Sequence, residues 1–490
     1  MADEDRRKTV EDPRESKLHK WRGLILAVVL IVAVLTGLVV RNHVRVRLEL
    51  ARIRAAGEPV TPDDLARMYA VPEGENDTTE LWLGVARQLE PQVMRYPGTK
   101  SFVGLPFVDS GSPEPPLPGQ SWTDQSRSVA LFEELEECLV DLHEAAKEKG
   151  PAAFISSFDD AHNILLTHAQ DLRSASKLLR LEARIGAHDG DEKASAESIH
   201  AIFAIGRALS REPLVVTHLV RLACDASARE EVEDLLSVVD FADADLARFQ
   251  EGLRSADYDK GLYRAMLGER VIGILTFRDP SSAGLSTTQS MAHRLFGRED
   301  MLRYLQVQRQ LVASAQLPFP EGLNAVREIG RSIQISKRDN RGKPPSGIRS
   351  WFQPSISVWG SASLWGSITP PFERTARALA LNRAADAAIA VERFRRREGR
   401  LPGNLQETVP EFLPSVPIDP FSGDAMRYAA LEDEFLVYSV GVNGVDDGGR
   451  TDGIDVEHPL FDNVEKEPAD FVFRVRRVRV PEHAGSGTEH

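Results

Sequence analysis

The run Pro417-Ile-Asp-Pro-Phe-Ser-Gly423 leads into Tyr438-Ser-Val-Gly-Val-Asn-Gly444 and then an acidic, glycine-rich segment from Asp446 to Asp455. Its proline, glycine and Asn-Gly punctuation marks turns. Between the turns, Met426–Ala429 and Glu434–Val440 read as two short strands. Ahead of them, residues 371–398 read as one long helix. Leu379, Ala380, Ala384, Ala387, Ala388, Val391 and Phe394 give it a small-residue and apolar face. Arg393, Arg395, Arg396 and Arg397 crowd its C-terminal end, where cations complement the helix dipole, and Gly399 suits the stop. An anion site at these arginines is the alternative reading. Leu405 and the run Val409-Pro-Glu-Phe-Leu-Pro414 suggest a short helical turn. A helix followed by a small antiparallel sheet makes an α+β module, assigned to residues 371–480. Phe471–Val480 reads as a further strand whose arginines discourage edge-to-edge pairing, and 481–490 as a disordered tail.

Working outward, residues 338–370 have the punctuation of a linker. Lys343-Pro-Pro-Ser-Gly347 precedes Trp351, Trp359 and Trp365. Packing on neighbouring domains accounts for these tryptophans as readily as an exposed ligand surface does. Residues 41–337 carry helix-period patterns and little strand-like alternation. Thr61-Pro-Asp-Asp64 opens a helix with an N-cap, a first-turn proline and acids at the positive end of the dipole. Asp77 or Thr78 caps the next, with Leu81, Trp82, Val85 and Leu89 as its apolar stripe. Helices are also expected over 161–186, 194–209, from Glu212-Pro213 to Val232, and over 243–254. Short polar breaks between them predict a bundle or an irregular α-solenoid. Gly186–Leu209 has a faint likeness to a tetratricopeptide unit, but the expected aromatic, glycine and proline positions do not recur at that family's period.

Residues 23–40 contain no charged side chain, and Trp21 stands at their near edge. Such a run is roughly 27 Å long as a helix, enough to span a hydrocarbon core of about 30 Å. It ends directly in Val40-Arg-Asn-His43, without a small-residue cleavage site, which reads as an uncleaved anchor. Lysines and arginines in the tail at 1–22 place that tail in the cytoplasm of a single-pass inner-membrane protein and the body on the exported side. A net charge of −14 over 490 residues argues against nucleic acid as a partner. Cys138 and Cys224, the two cysteines, are expected as buried free thiols, with one interhelical disulfide as the alternative.

Catalytic motifs are not found. His143-Glu-Ala-Ala-Lys147 lacks the second histidine of a zinc-protease helix. His162, His168, His200 and His218 have no sequence-local carboxylates at ligand spacing, so they are expected as satisfied or surface histidines. There is no phosphate-binding glycine loop after a strand and no Gly-x-Ser-x-Gly elbow.

The order helix, Arg396-Arg-Glu-Gly-Arg-Leu-Pro402, Phe412-Leu-Pro-Ser-Val-Pro-Ile-Asp-Pro-Phe-Ser-Gly423, Met426-Arg-Tyr428 and Tyr438-Ser-Val-Gly441, continuing through Gly448-Gly-Arg-Thr-Asp-Gly-Ile-Asp-Val456, resembles the soluble domain of type II secretion major pseudopilins. Arg22-Gly-Leu-Ile-Leu-Ala27 lacks the glutamate of that family's processing site. The resemblance implies calcium in the acidic loop, where Asp452 and Asp455 match acidic positions and Gly453 replaces a common Asp or Asn. Calcium takes about six to eight hard oxygens. Asp446, Asp447, Asp452 and Asp455, with carbonyls around Val440–Val442, are the candidate ligands, although the loop does not follow the EF-hand pattern. A solvated acidic turn closed by Asn443-Gly444 is the alternative. The expected function is that of an exported, membrane-anchored, non-enzymatic scaffold or interaction protein. A component of a secretion or pilus-like machine, and an enzyme with a site assembled from distant helical residues, are the competing readings.

Overall fold

The computed structural model describes residues 13–89, 106–107, 112–159, 166–278, 287–341, 368–432, 434–450 and 470–476. The chain is mostly helical, with a small sheet near its C-terminus. Helix α1 (Pro13–Ala55) is followed by α2 (Pro62–Tyr69), α3 (Thr79–Leu89), α4 (Gln125–Lys147), α5 (Thr167–Asp189) and α6 (Glu192–Ala208). Then come α7 (Val215–Leu235), α8 (Asp243–Arg254), α9 (Tyr258–Arg278), α10 (Thr287–Ala315), α11 (Glu321–Arg341) and α12 (Thr369–Glu398). Strands β1 (Arg427–Ala430), β2 (Glu434–Ser439) and β3 (Phe471–Arg476) complete the described elements.

Helix α1 runs 43 residues without a break. Its apolar stretch is exposed, whereas Val46 and Ile53 near its end are buried and α10 packs beside it. By length and composition it is apolar enough to cross a membrane. The end of the apolar run at Val40 is therefore not the end of the helix, which passes straight into the body.

Local chemistry sets the other boundaries. Thr61 and Asp64 form a reciprocal capping box at the start of α2. Asp77 accepts from the Thr79 amide at 2.9 Å as α3 begins. The α5–α6 reversal depends on Gly190, at φ 75°, and on Asp191, whose carboxylate accepts from the Ala194 amide at 2.9 Å. Helix α8 spans the expected residues, and α12 ends at Gly399. Helix α7 instead starts three residues after Glu212, because Glu212 and Pro213 stay in a connecting segment. There the buried Glu212 carboxylate accepts from the Tyr69 hydroxyl at 2.5 Å.

Helices α5, α6 and α7 each pack on the other two. Helix α12 lies against α7, α8, α9 and α11, and the sheet packs on it. Buried Ala376, Ala380, Ala384, Ala385, Ala387 and Ala388 let these neighbours approach its backbone closely. The sheet is antiparallel in the order β1-β2-β3, with Arg427 opposite Tyr438 and Ser439 opposite Phe471. Strand β3 alternates buried Phe471, Phe473 and Val475 with more exposed residues, as a half-buried strand does. Phe435, Val437, Phe473 and Val475 join Leu179, Ile202, Leu246 and Val391 in one apolar cluster, so the sheet and helices α3–α8 share a continuous core. The linker tryptophans Trp351, Trp359 and Trp365, His162 and the tail at 481–490 lie outside the described residues.

Candidate functional site

A cleft of about 580 Å³ opens where α6, α7, α8 and α9 converge with the segment after α4. Its lining carries seven cations, Lys147, Lys149, Arg207, Arg211, Arg221, Arg248 and Arg264, against three carboxylates, Glu75, Glu251 and Asp257. A positive excess of this size in a chain of net charge −14 marks a local concentration of potential.

The cations are held with different degrees of compensation. Arg211 donates to the Met68, Tyr69 and Ala70 carbonyls, which fixes it at the C-terminus of α2. Arg248 pairs with Glu197 at 2.8 Å, and Arg264 donates to the Ser210 carbonyl at 2.9 Å. Arg221 is only 2% exposed. One of its nitrogens reaches Asp257 at 3.2 Å, and its guanidinium lies 5.2 Å from the Tyr258 ring centroid. Asp225 lies 3.9 Å from its Nε as an ion-pair partner, but Nε and Nη1 have no hydrogen-bond partner among the described residues. Neither Arg207 nor Lys149 forms a side-chain hydrogen bond or ion pair among those residues. Burial lowers Arg207 below its ordinary pKa, and Arg248 adds to this despite Asp225 and Glu251. Arg264 is lowered by burial too, with Arg211 and Arg221 adding repulsion that Asp257 offsets in part. His200 is pushed down to about 3, first by burial and then by Arg248, so the ring is neutral near pH 7. Phe203 supplies an apolar wall. The cleft disfavours added positive charge, the condition that a bound anion relieves.

Behind Arg221 lies a buried polar chain. The Tyr258 hydroxyl donates to Asp225 at 2.8 Å and accepts from Asn382 at 3.0 Å, while Arg229 donates to Asn382 at 3.1 Å. This chain ties α7 and α9 to α12 and holds Arg221 in place. His218 next to it donates to Thr375 at 2.9 Å, because the Thr375 hydroxyl itself donates to the Pro371 carbonyl.

The acidic loop connects β2 to β3. Asp446 accepts from Tyr438 at 3.2 Å and from the Gly448 amide at 3.0 Å, with Arg427 3.4 Å away. Asp447 accepts from Asn443 at 3.1 Å. The buried Asp470 accepts from the Gly449 amide at 2.7 Å. Asp452 and Asp455 lie outside the described residues. Among the described residues no group of three or more His, Cys, Asp or Glu side chains is placed to hold a metal ion.

At the end of α12, Arg393 makes a two-pronged pair with Asp243 at 2.7 and 2.8 Å. Arg395 and Arg396 hold Glu392, and Arg397 pairs with Glu398 and Glu411. These arginines are occupied internally, whereas Arg207 of the cleft forms no side-chain hydrogen bond or ion pair among the described residues. Three of the histidines find carboxylates far away in sequence: His143 meets Glu182 at 2.8 Å, His168 lies 3.4 Å from Glu212, and His200 lies 3.6 Å from Asp245. Cys138 and Cys224 are free and buried, with thiols pushed by burial up to about 11 and about 12, so both are poor nucleophiles.

Sequence reasoning missed the cleft because its cations come from several separate elements. One signal was readable: Arg221 stands inside the apolar run Leu219-Val-Arg-Leu-Ala223. No protein-family model, curated protein or solved structure matches this chain.

Proposed function

We propose that this chain is a membrane-anchored, non-enzymatic scaffold or interaction protein whose helical body is exported and whose C-terminal helix and sheet form a pseudopilin-like module. The observation that carries this reading is the division of α1, an exposed apolar rod that continues without a break into a foot buried at Val46 and Ile53. Such a helix transmits the position of the membrane directly to the body, with no flexible joint between them. The order of residues 396–456 supports the pseudopilin-like part, while no step of this function is routed through calcium.

Three observations test it. Alkaline extraction of membranes should leave the full chain in the pellet, and release into the supernatant would overturn the anchor. External protease should reach the body in spheroplasts, and protection there would overturn export. Cross-linking of a tagged full-length chain in intact cells should capture envelope proteins. Recovery of secretion-channel or pseudopilus components would replace the general scaffold by a part of such a machine.

A further inference from the structure

We propose that the cleft between α6, α7, α8 and α9 is a binding site for a small anion carrying at least two negative charges. This inference does not rest on the scaffold reading, because it concerns the isolated chain and requires no partner.

Two features independent of net charge point to a ligand. Arg221 is almost wholly buried, and although Asp225 lies 3.9 Å from its Nε and Asp257 3.2 Å from a terminal nitrogen, Nε and Nη1 make no hydrogen bond among the described residues. Leaving a buried donor unpaired is costly, the more so when it is charged. Arg207 and Lys149 line the same space with donors unused among the described residues. A guanidinium fork matches the paired oxygens of a phosphate or carboxylate, and an ammonium adds a mobile point charge.

The surroundings limit the size of the ligand. A cavity of about 580 Å³ lies within the range of small-molecule sites. Glu75, Glu251 and Asp257 in the lining would repel an extended polyanion that overran the cluster, and the acidic protein as a whole repels nucleic acid. Phe203 and Pro151 offer apolar contacts to a carbon skeleton. The shared chemistry is therefore a compact anion, either a phosphate compound or a polycarboxylate.

The test is calorimetric titration of the full chain in non-ionic detergent with pyrophosphate and, separately, with citrate. Saturable binding of either probe is expected, and which one binds assigns the class. Lys149→Ala and Arg207→Gln should each weaken it about tenfold, because each removes a charge-assisted contact. The exposed Lys149 supplies a variant that leaves the packing intact, and the melting midpoint of each variant checks the fold. Absence of saturable binding to both probes at millimolar concentration would overturn the proposal. So would binding that is undiminished in the folded Lys149→Ala/Arg207→Gln double variant.

Discussion

The buried carboxylate of Asp419 accepts a 2.7 Å hydrogen bond from the Ser439 hydroxyl. Its second oxygen accepts from the Val440 amide at 2.9 Å, and the Phe421 amide donates to the first. Asp419 thus pins the Pro417–Gly423 turn to the end of β2, where the acidic loop begins. Its place in the Pro-Ile-Asp-Pro-Phe-Ser-Gly run follows from this: one side chain satisfies donors of two segments that the sheet brings together.

Replacing that carboxylate leaves those donors buried and unmatched. Asp419→Ala is expected to lower the unfolding free energy by about 3 kcal/mol, and Asp419→Asn by less, since the amide keeps one acceptor. Denaturant unfolding of the full chain in detergent reads the difference. An alanine variant as stable as the parent would show that the turn carries no such role.

Arg184 and Glu231 form a two-pronged pair at 2.7 and 2.9 Å between α5 and α7, both almost wholly buried, with Asp234 also on Arg184. Glu231→Ala leaves buried guanidinium charge short of its partner, and a loss of about 3–5 kcal/mol is expected. Arg180 also donates to Glu231 at 3.1 Å and keeps Glu230 at 2.9 Å in either variant, so Arg184→Met/Glu231→Leu, which removes the other stranded charge, should be more stable than Glu231→Ala. A double variant less stable than the single one would contradict this.

Helices α6 and α7 meet at Gly206, where an added Cβ would fall within 1.8 Å of Asp225 Oδ1. Asp225 cannot simply move aside, because Tyr258 donates to it from α9. Gly206→Ala should therefore destabilise by about 1–3 kcal/mol despite the better helix propensity of alanine. It should also weaken anion binding, because Arg221 lies over Tyr258. A shift of the melting midpoint upward would refute the contact.

Burial, with Asp234 and Glu230 nearby, pushes the Glu233 carboxyl up to about 7, although the Arg474 amide donates to it. A raised carboxyl pKa means that the folded chain holds the proton more tightly than the unfolded chain. Stability from this group is thus full below the ordinary value near 4.5 and is lost as pH rises through about 7. Glu233→Gln keeps an acceptor for the Arg474 amide and cannot ionise. It should raise the melting midpoint at about pH 8 and change it little near pH 4.5. An equal effect at both pH values would assign the gain to packing instead.

Several parts of this fold were legible because local chemistry decides them. Thr61 and Asp64 make their capping box, Gly399 ends α12, and Asp243–Arg254 forms its helix within the expected limits. The antiparallel pairing of β1 with β2 was legible in two short strand-like runs, Met426–Ala429 and Glu434–Val440, joined by a short polar connection. Glu212-Pro213 did not open a helix, because a contact with Tyr69, 143 residues away, claims the glutamate. The arginines of α12 were read as complements of the helix dipole with an anion site as the alternative, and the structure pairs them with Glu392 on the same helix and with Asp243 and Glu411 across the fold.

The sequence by itself determined the apolar rod of α1, the helical character of the body and the turns around the C-terminal strands, since composition and near-neighbour spacing govern these. Only the tertiary structure decided that the sheet shares its core with α3–α8, that Asp419 is buried, and that cations from Lys149 to Arg264 converge on one cleft. Helix packing sets those distances, and residues many turns apart in sequence become neighbours only when their helices bury a common face.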